Sequence, residues 1–355
     1  MPTALSVDDG APVDIADELE AGGVAGSRLE GWRLPRDAYR PDAHVARDAD
    51  GAPMAAVLTS ARPATAATKI VDLWWRDEAA AEGLVDHVLA QARTRGDVAV
   101  KWQAPGGAEL PAFAAERGFT PMRRPWAAVG TEHVDGYVLW LAPSAHAEPG
   151  YYAQTTLFTC GAVAALIASE GATAGGFAGD DGDRDVEVGL WRRASNYPAC
   201  EPIGLAVALH DHLADAPVEV ALDLDGPALI EEFTGFDRSF REVLQQDSLR
   251  QAAERGIPVR RDRVDVTEIA ARVGAGERAL LLIDEAPMHG EAGPHWIVAH
   301  AVVGDAVIVE DPWINVDAGE TWVDTHELPV LPEGLDQLVR WSADGYRGVI
   351  FTRVD

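Results

Sequence analysis

Cysteine is scarce in this chain: two in 355 residues, Cys160 and Cys200. That scarcity excludes a disulfide-stapled scaffold and points to free thiols in a reducing compartment. Basic residues are also few. Lys and Arg number 29 against 58 Asp and Glu, a formal net charge of −29. A surface of that sign repels nucleic acid and anionic membranes, so neither is expected as a partner. It also argues against an acidic carrier protein, unless a compact basic patch such as Arg123-Arg124 or Arg260-Arg261-Asp262-Arg263 docks one. Long hydrophobic runs are missing too. The longest, around Leu157 to Ala168, is broken by Thr159 and too short to span a bilayer. The N-terminus, Met1-Pro-Thr-Ala-Leu-Ser-Val-Asp-Asp, lacks the basic and apolar regions of a signal peptide. These absences together predict a cytoplasmic protein.

Metal-ligand spacing is equally absent. No Cys/His cluster has the spacing of a zinc site. His210 and His212 stand two apart on a predicted helix and diverge. The run Asp180 to Asp185 lacks the alternating acidic positions and distal Glu of a calcium loop. No metal and no cofactor is expected.

What is present reads as two domains, each long enough to bury a core. Residues 1–28 are acidic and rich in Gly and Ala, and are expected to form a flexible tail with a short helix at Asp14 to Glu20. Residues 29–141 alternate strand and helix. A hairpin turns at Asp50-Gly51, Lys69 to Trp75 is a strand, and Asp77 to Arg95 is a helix stopped by Gly96. Residues 142–150, with Pro143 and Pro149, form the linker. Residues 151–355 begin with helices and end rich in strands, an α+β layout. Gly171 to Gly182, dense in Gly and Asp, reads as a mobile loop near the site.

The chemistry concentrates in this second part. Cys160 opens the apolar helix that runs to Ala168, and Gln154 precedes it by six residues. A helix N-terminus favours thiolate, the reactive form. Gly161 lets a substrate backbone approach, and Tyr152 and Trp296 are candidate cleft walls. Far downstream, His295 starts an alternating strand, and Asp311-Pro312 lies sixteen residues on. Thiol, imidazole, carboxylate and amide are the parts of a cysteine acyl-transfer site. Hairpin register is decisive. A regular two-residue turn at Gly304-Asp305 pairs Asp311 with Val298, on the wrong face. A three-residue or bulged hairpin pairs it with Ile297, on the face of His295, and Gly304 suits such a turn. His300 and His289 are worse candidates for the base, and Cys200 reads as a spectator.

The order Gln154, Cys160-Gly161, His295, Asp311-Pro312 resembles the papain-like cysteine peptidases. In detail it is similar to the bacteriocin-processing, double-glycine-leader peptidases and their stand-alone relatives. The resemblance spans roughly Tyr151 to Asp355. It implies that Cys160 is the nucleophile, His295 the base, Asp311 its orienting carboxylate and Gln154 an oxyanion donor. Transporter-linked members also carry membrane and ATPase domains, and this sequence shows neither. The first domain, with its strand–helix order and Glu116-Arg-Gly-Phe119, resembles the second half of a GNAT-superfamily acetyltransferase. Active members hold the cofactor pyrophosphate on a Gly-rich loop. Leu73-Trp74-Trp75-Arg76-Asp77-Glu78 stands there instead, with two carboxylates that repel phosphate, so this domain is expected to be degenerate.

The expected function is a cysteine peptidase or amidase working through an acyl-enzyme. The same triad also suits an acyltransferase or amide-forming enzyme acting on a peptide or on a small-molecule or carrier-bound thioester. A non-catalytic binding module is a third reading, which the intact tetrad argues against.

Overall fold

The computed structural model describes residues 6–126, 133–171, 181–194, 196–214 and 216–354; residues 172–180 of the predicted mobile loop lie outside them. The chain divides into two compact units, neither of them a continuous stretch. The first takes residues 1–122, 130–144 and 315–324, and the second takes 123–129, 145–314 and 325–355.

The first unit is built on a seven-stranded sheet in the order β1-β2-β3-β4-β5-β7-β6. Its strands are β1 (Ser6–Gly10), β2 (Asp42–Arg47), β3 (Pro53–Ser60), β4 (Ala67–Trp75), β5 (Ala99–Pro105), β6 (Thr120–Pro121) and β7 (Val134–Trp140). Only β4 and β5 run parallel, joined by the helix Glu78–Arg95. Asp77 caps that helix by accepting Ala80 N–H at 2.8 Å, and Gly96 closes it at φ 81°. The expectation of a loose tail over residues 1–28 is corrected. β1 pairs along its length with β2, and the helix Pro12–Ala21 buries Ile15, Ala16 and Leu19. That spacing of i, i+1, i+4 puts the three on one helix face, enough to dock the segment.

Parallel pairing of β4 and β5 ends at Ile70 and Trp102. Residues 315–324 supply partners for side chains on and beside these strands. Lys101 donates to Val323 O at 3.0 Å and Trp322 Nε1 to Val134 O at 3.1 Å. Lys69 pairs with Asp324, and Arg62 grips Glu320 through two bonds of 2.6 Å. Lys69 and Lys101 are the only lysines in the chain, and both are buried here. Burial depresses the Lys69 ammonium, and the Asp324 charge offsets part of that.

The second unit carries a second seven-stranded sheet, ordered β13-β12-β11-β10-β14-β8-β9. These are β8 (Val218–Leu222), β9 (Val259–Arg260), β10 (Arg278–Asp284), β11 (Pro294–Val303), β12 (Ala306–Glu310), β13 (Leu328–Val330) and β14 (Gly348–Thr352). All pairings are antiparallel except β8 with β9. Helices Cys160–Ala168, Gly182–Ala194, Pro202–His212 and Gly235–Glu254 precede or interleave the strands. The core joins Leu166, Leu190 and Leu209 from the helices to Leu280, Leu282 and Trp296 from the sheet. Every residue of Cys160–Ala168 is buried, which explains its wholly apolar composition. Among the described residues, no helix is long and apolar enough to cross a membrane.

One irregularity in this sheet positions the chemistry. β11 and β12 are joined by the two-residue turn Gly304-Asp305, with Val303 opposite Ala306. The register then shifts between Ala299 and Ala301, leaving His300 as the extra residue. Val298 therefore faces Glu310, and extending this register by one residue would set Asp311 level with Ile297. The pairing is the one the sequence demanded, but the bulge sits at His300 and not at Gly304. A bulge anywhere between the turn and Ile297 shifts Asp311 equally, so register alone could not place it.

Candidate active site

Cys160 is the first residue of its helix and is 4% exposed. His295 lies near the start of β11, opposite Ile283 of β10. Its Nε2 is 2.7 Å from Asp311 Oδ1. The Cys160 charge acts on the same ring. With Nε2 engaged by Asp311, Nδ1 is the nitrogen left for the thiol. Burial alone would depress the His295 imidazolium. The Asp311 and Cys160 charges outweigh burial and raise it well above the usual histidine value. Glu285 Oε1 lies 3.9 Å from Nδ1, a further carboxylate on the thiol side.

Asp311 is fully buried and held from several directions. Its Oδ1 also accepts Trp313 N–H at 2.8 Å. Its backbone O accepts Tyr151 O–H at 2.8 Å, and its N–H donates to Thr325 O at 2.9 Å. A second histidine, His289, brings Nε2 to 3.5 Å of Asp311 Oδ2 and stacks edge-on against Trp313. Sequence reasoning ranked His289 only as a poorer base; its contact is with the carboxylate.

Gln154 joins this group through its backbone, donating N–H to Pro312 O at 2.9 Å. Its side-chain amide donates to Thr156 O at 2.8 Å, while Oε1 is buried without a partner. That bond fixes which end of the amide is nitrogen. One amide hydrogen is therefore spent on its own loop and one remains.

The residues expected to contact substrate lie elsewhere. Trp296 is completely buried, and its indole donates to Cys200 O at 3.0 Å. It is a core residue, because it alternates with His295 along β11. Gly161 is small for an internal reason: a Cβ there would sit 2.9 Å from Cys200 Cβ and 3.0 Å from Trp296 Cδ1. Tyr152 is buried with its hydroxyl donating to Glu187 Oε2 at 2.9 Å. Cys200 is fully buried, and burial first, then the Cys160 charge, push its thiol well above the ordinary range. That keeps it protonated and unreactive.

Glu187 is the residue sequence reasoning missed. Completely buried on the helix Gly182–Ala194, it accepts Thr155 N–H and Oγ1–H at 2.9 Å each, and Thr159 O–H at 2.5 Å, besides Tyr152. One carboxylate thus ties down the whole Tyr152–Thr159 approach to Cys160. A signal existed: buried positions Asp183, Glu187, Leu190 and Ala194 follow helical spacing, so a Glu stands in an inward-facing stripe.

A cavity of about 280 Å³ adjoins these segments. Its walls include Gly293-Pro294, which runs into His295, and Ala199, which runs into Cys200. Tyr197, Leu229, Phe233 and Trp341 line it, with Glu231 and Glu232 as its acidic groups.

Residues 149–353, more than half of the chain, match the Peptidase_C39 like family. The chain belongs to that family. No curated protein matches it. Among solved structures, it is similar to a GNAT-family acetyltransferase from Staphylococcus aureus, at 10% identity over 39% of this chain and 99% of that one, with a TM-score of 0.30. It is also similar to an IAA acetyltransferase from Bacillus cereus, at 10% identity over 39% of this chain and 100% of that one, TM-score 0.30. A spermidine N-acetyltransferase from Vibrio cholerae matches at 12% identity over 38% of this chain and 93% of that one, TM-score 0.29.

Proposed function

We propose that this Peptidase_C39 like chain is a papain-like cysteine peptidase or amidase whose triad is Cys160, His295 and Asp311. The observation that carries the reading is His295 held at 2.7 Å by Asp311, its imidazolium raised by the charges of Asp311 and of Cys160, which heads a helix. The Cys160 thiolate attacks the substrate carbonyl carbon and forms the C–S bond. The tetrahedral oxyanion collapses, the C–N bond breaks, and the leaving amine takes the proton from the His295 imidazolium. His295 then deprotonates a water, which cleaves the thioester and restores the thiolate–imidazolium pair. Asp311 keeps its charge throughout and orients the ring. The Cys160 N–H and the second Gln154 amide hydrogen are the proposed oxyanion donors, each worth on the order of 100-fold in turnover.

The resemblance to double-glycine-leader peptidases supports a peptide substrate. The cavity's aromatic walls and two carboxylates favour a neutral or cationic side chain over an acidic one. The first unit is read as a non-catalytic, acetyltransferase-like platform. Asp77 already fills the helix N-terminus where a pyrophosphate would bind. Hydrolysis and acyl transfer share this triad and part at the acyl-enzyme. The test is to pre-form the Cys160 thioester and titrate an amine. Free acid as the main product at low millimolar amine supports hydrolysis. Amide as the main product makes the enzyme a transferase and overturns the peptidase reading.

A further inference from the structure

A second histidine–carboxylate cluster lies in the same unit, away from the thiol. His300 Nε2 is 3.0 Å from Glu310 Oε1 and 3.3 Å from Glu327 Oε1. All three side chains are almost completely buried, at 1%, 0% and 3% exposed. Yet His300 Nε2 and Glu327 Oε1 are in hydrogen-bonding alignment with nothing. Buried polar atoms at such distances ordinarily align an N–H with an oxygen, since leaving them unpaired is costly. Close approach without alignment is the geometry of lone pairs converging on a shared point. Donor atoms around an ion at bond lengths near 2.1 Å are separated by roughly 3.0–3.4 Å, and the two distances from His300 Nε2 fall in that range.

The outer partners fit the same picture. His326 donates from both ring nitrogens, to Glu310 Oε2 at 2.5 Å and Glu148 Oε1 at 2.9 Å. His146 Nε2 is 2.5 Å from Glu327 Oε2. Each carboxylate therefore has one oxygen fixed by an outer histidine and the other facing His300, and Glu310 Oε1 also accepts the Glu327 N–H at 3.0 Å. Orientation of ligating carboxylates by hydrogen-bonded neighbours is a regular property of metal sites. Arg278 donates to His300 O at 3.5 Å, and it and the doubly donating His326 are cations set against Glu148, Glu310 and Glu327.

We propose that His300 Nε2, Glu310 Oε1 and Glu327 Oε1 bind a divalent first-row transition-metal ion, of the zinc or manganese class. One imidazole and two carboxylates are donors of that hardness, whereas calcium demands six or more oxygens. The ion is structural: it locks the bulge residue His300 to Glu310, and so fixes the register that, extended by one residue, sets Asp311 level with Ile297. The inference concerns a separate set of side chains and stands whatever Cys160 does.

The experiment uses the full chain, stripped with chelator and then titrated with Zn2+ or Mn2+. Wild type is expected to take up about one ion per chain and to gain roughly 5 °C or more in Tm at a hundredfold excess over Kd. Glu327→Gln should weaken uptake at least about 10-fold. Cys160→Ala, which removes the only reactive thiol, and His87→Ala, which breaks the separate Asp9–His44–His87 cluster, should each retain the ion. Absence of uptake by wild type with an unchanged Tm overturns the proposal. So does uptake abolished by Cys160→Ala or His87→Ala but untouched by Glu327→Gln.

Discussion

Glu310 and Asp311 are consecutive and completely buried, and each is contacted by two histidines, yet they build sites of opposite character. Asp311 aligns His295 Nε2 and Trp313 N–H on one oxygen and serves a thiol. Glu310 is closed in by His326 and the Glu327 N–H and approaches His300 without alignment. Neighbouring strand residues point to alternate sides of the pleat, so one residue step separates the two environments. The His300 bulge decides which carboxylate goes where. Without it, Asp311 would face Val298, the position Glu310 now holds. A single inserted residue therefore sets the register of the proposed catalytic pairing and is itself a proposed ligand in the other cluster.

The largest expected effect separates the two carboxylates directly. Asp311→Asn should lower kcat/KM by roughly 1000- to 10,000-fold while the protein stays folded, because the wrong tautomer of His295 is then held. Glu310→Gln should act on stability instead, costing about 3–5 kcal/mol in denaturant melts, because His326 loses a buried anionic partner. Equal losses of activity and of stability in both variants would erase the distinction.

Glu201 sharpens the comparison as a buried carboxylate with no histidine. Burial pushes it up to about 7, while at Glu310 the His326 imidazolium overcomes burial and holds the carboxyl below the usual carboxylate range. For Glu201 the folded value exceeds the unfolded one, near 4.5. Its contribution is therefore full below pH 4.5 and is lost as pH rises through about 7. Glu201→Gln should remove that slope, a change of about 3 kcal/mol in the wild-type-minus-variant difference between acid and neutral pH. A difference that stays flat across this window contradicts the assignment.

A smaller effect is expected at Glu187. Glu187→Gln keeps the shape but gives the carboxylate's second oxygen position a donor where Thr155 and Tyr152 also donate. The loop before Cys160 should loosen, and acylation should slow by about tenfold with little change in KM. Unchanged acylation would mean that the loop holds without it.

Local signals explain what was readable in the sequence. A cysteine heading an Ala-rich helix, a histidine opening an alternating strand and an Asp-Pro pair are each legible within a few residues. The need for an irregular hairpin was legible too, from parity alone. The site of the bulge was not, because contacts between His300 and residues 10 and 27 positions away select it. The buried cluster escaped for the same reason. Its members, from His146 to Glu327, share no spacing that a ligand motif would show. Trp296, expected as a cleft wall, is fully buried, because alternation along β11 fixes only relative sides. Which side meets the helices is set by packing against Cys200.

The central claim is that Cys160 alone is activated, by a His295 that Asp311 orients. The direct measurement is iodoacetamide labelling of the native protein near neutral pH, with both thiols quantified by peptide mass spectrometry. Cys160 should react roughly 100-fold faster than the fully buried Cys200, and His295→Ala should abolish that excess while His300→Ala leaves it in place. Equal rates at the two cysteines, or an excess that survives His295→Ala, would contradict the account.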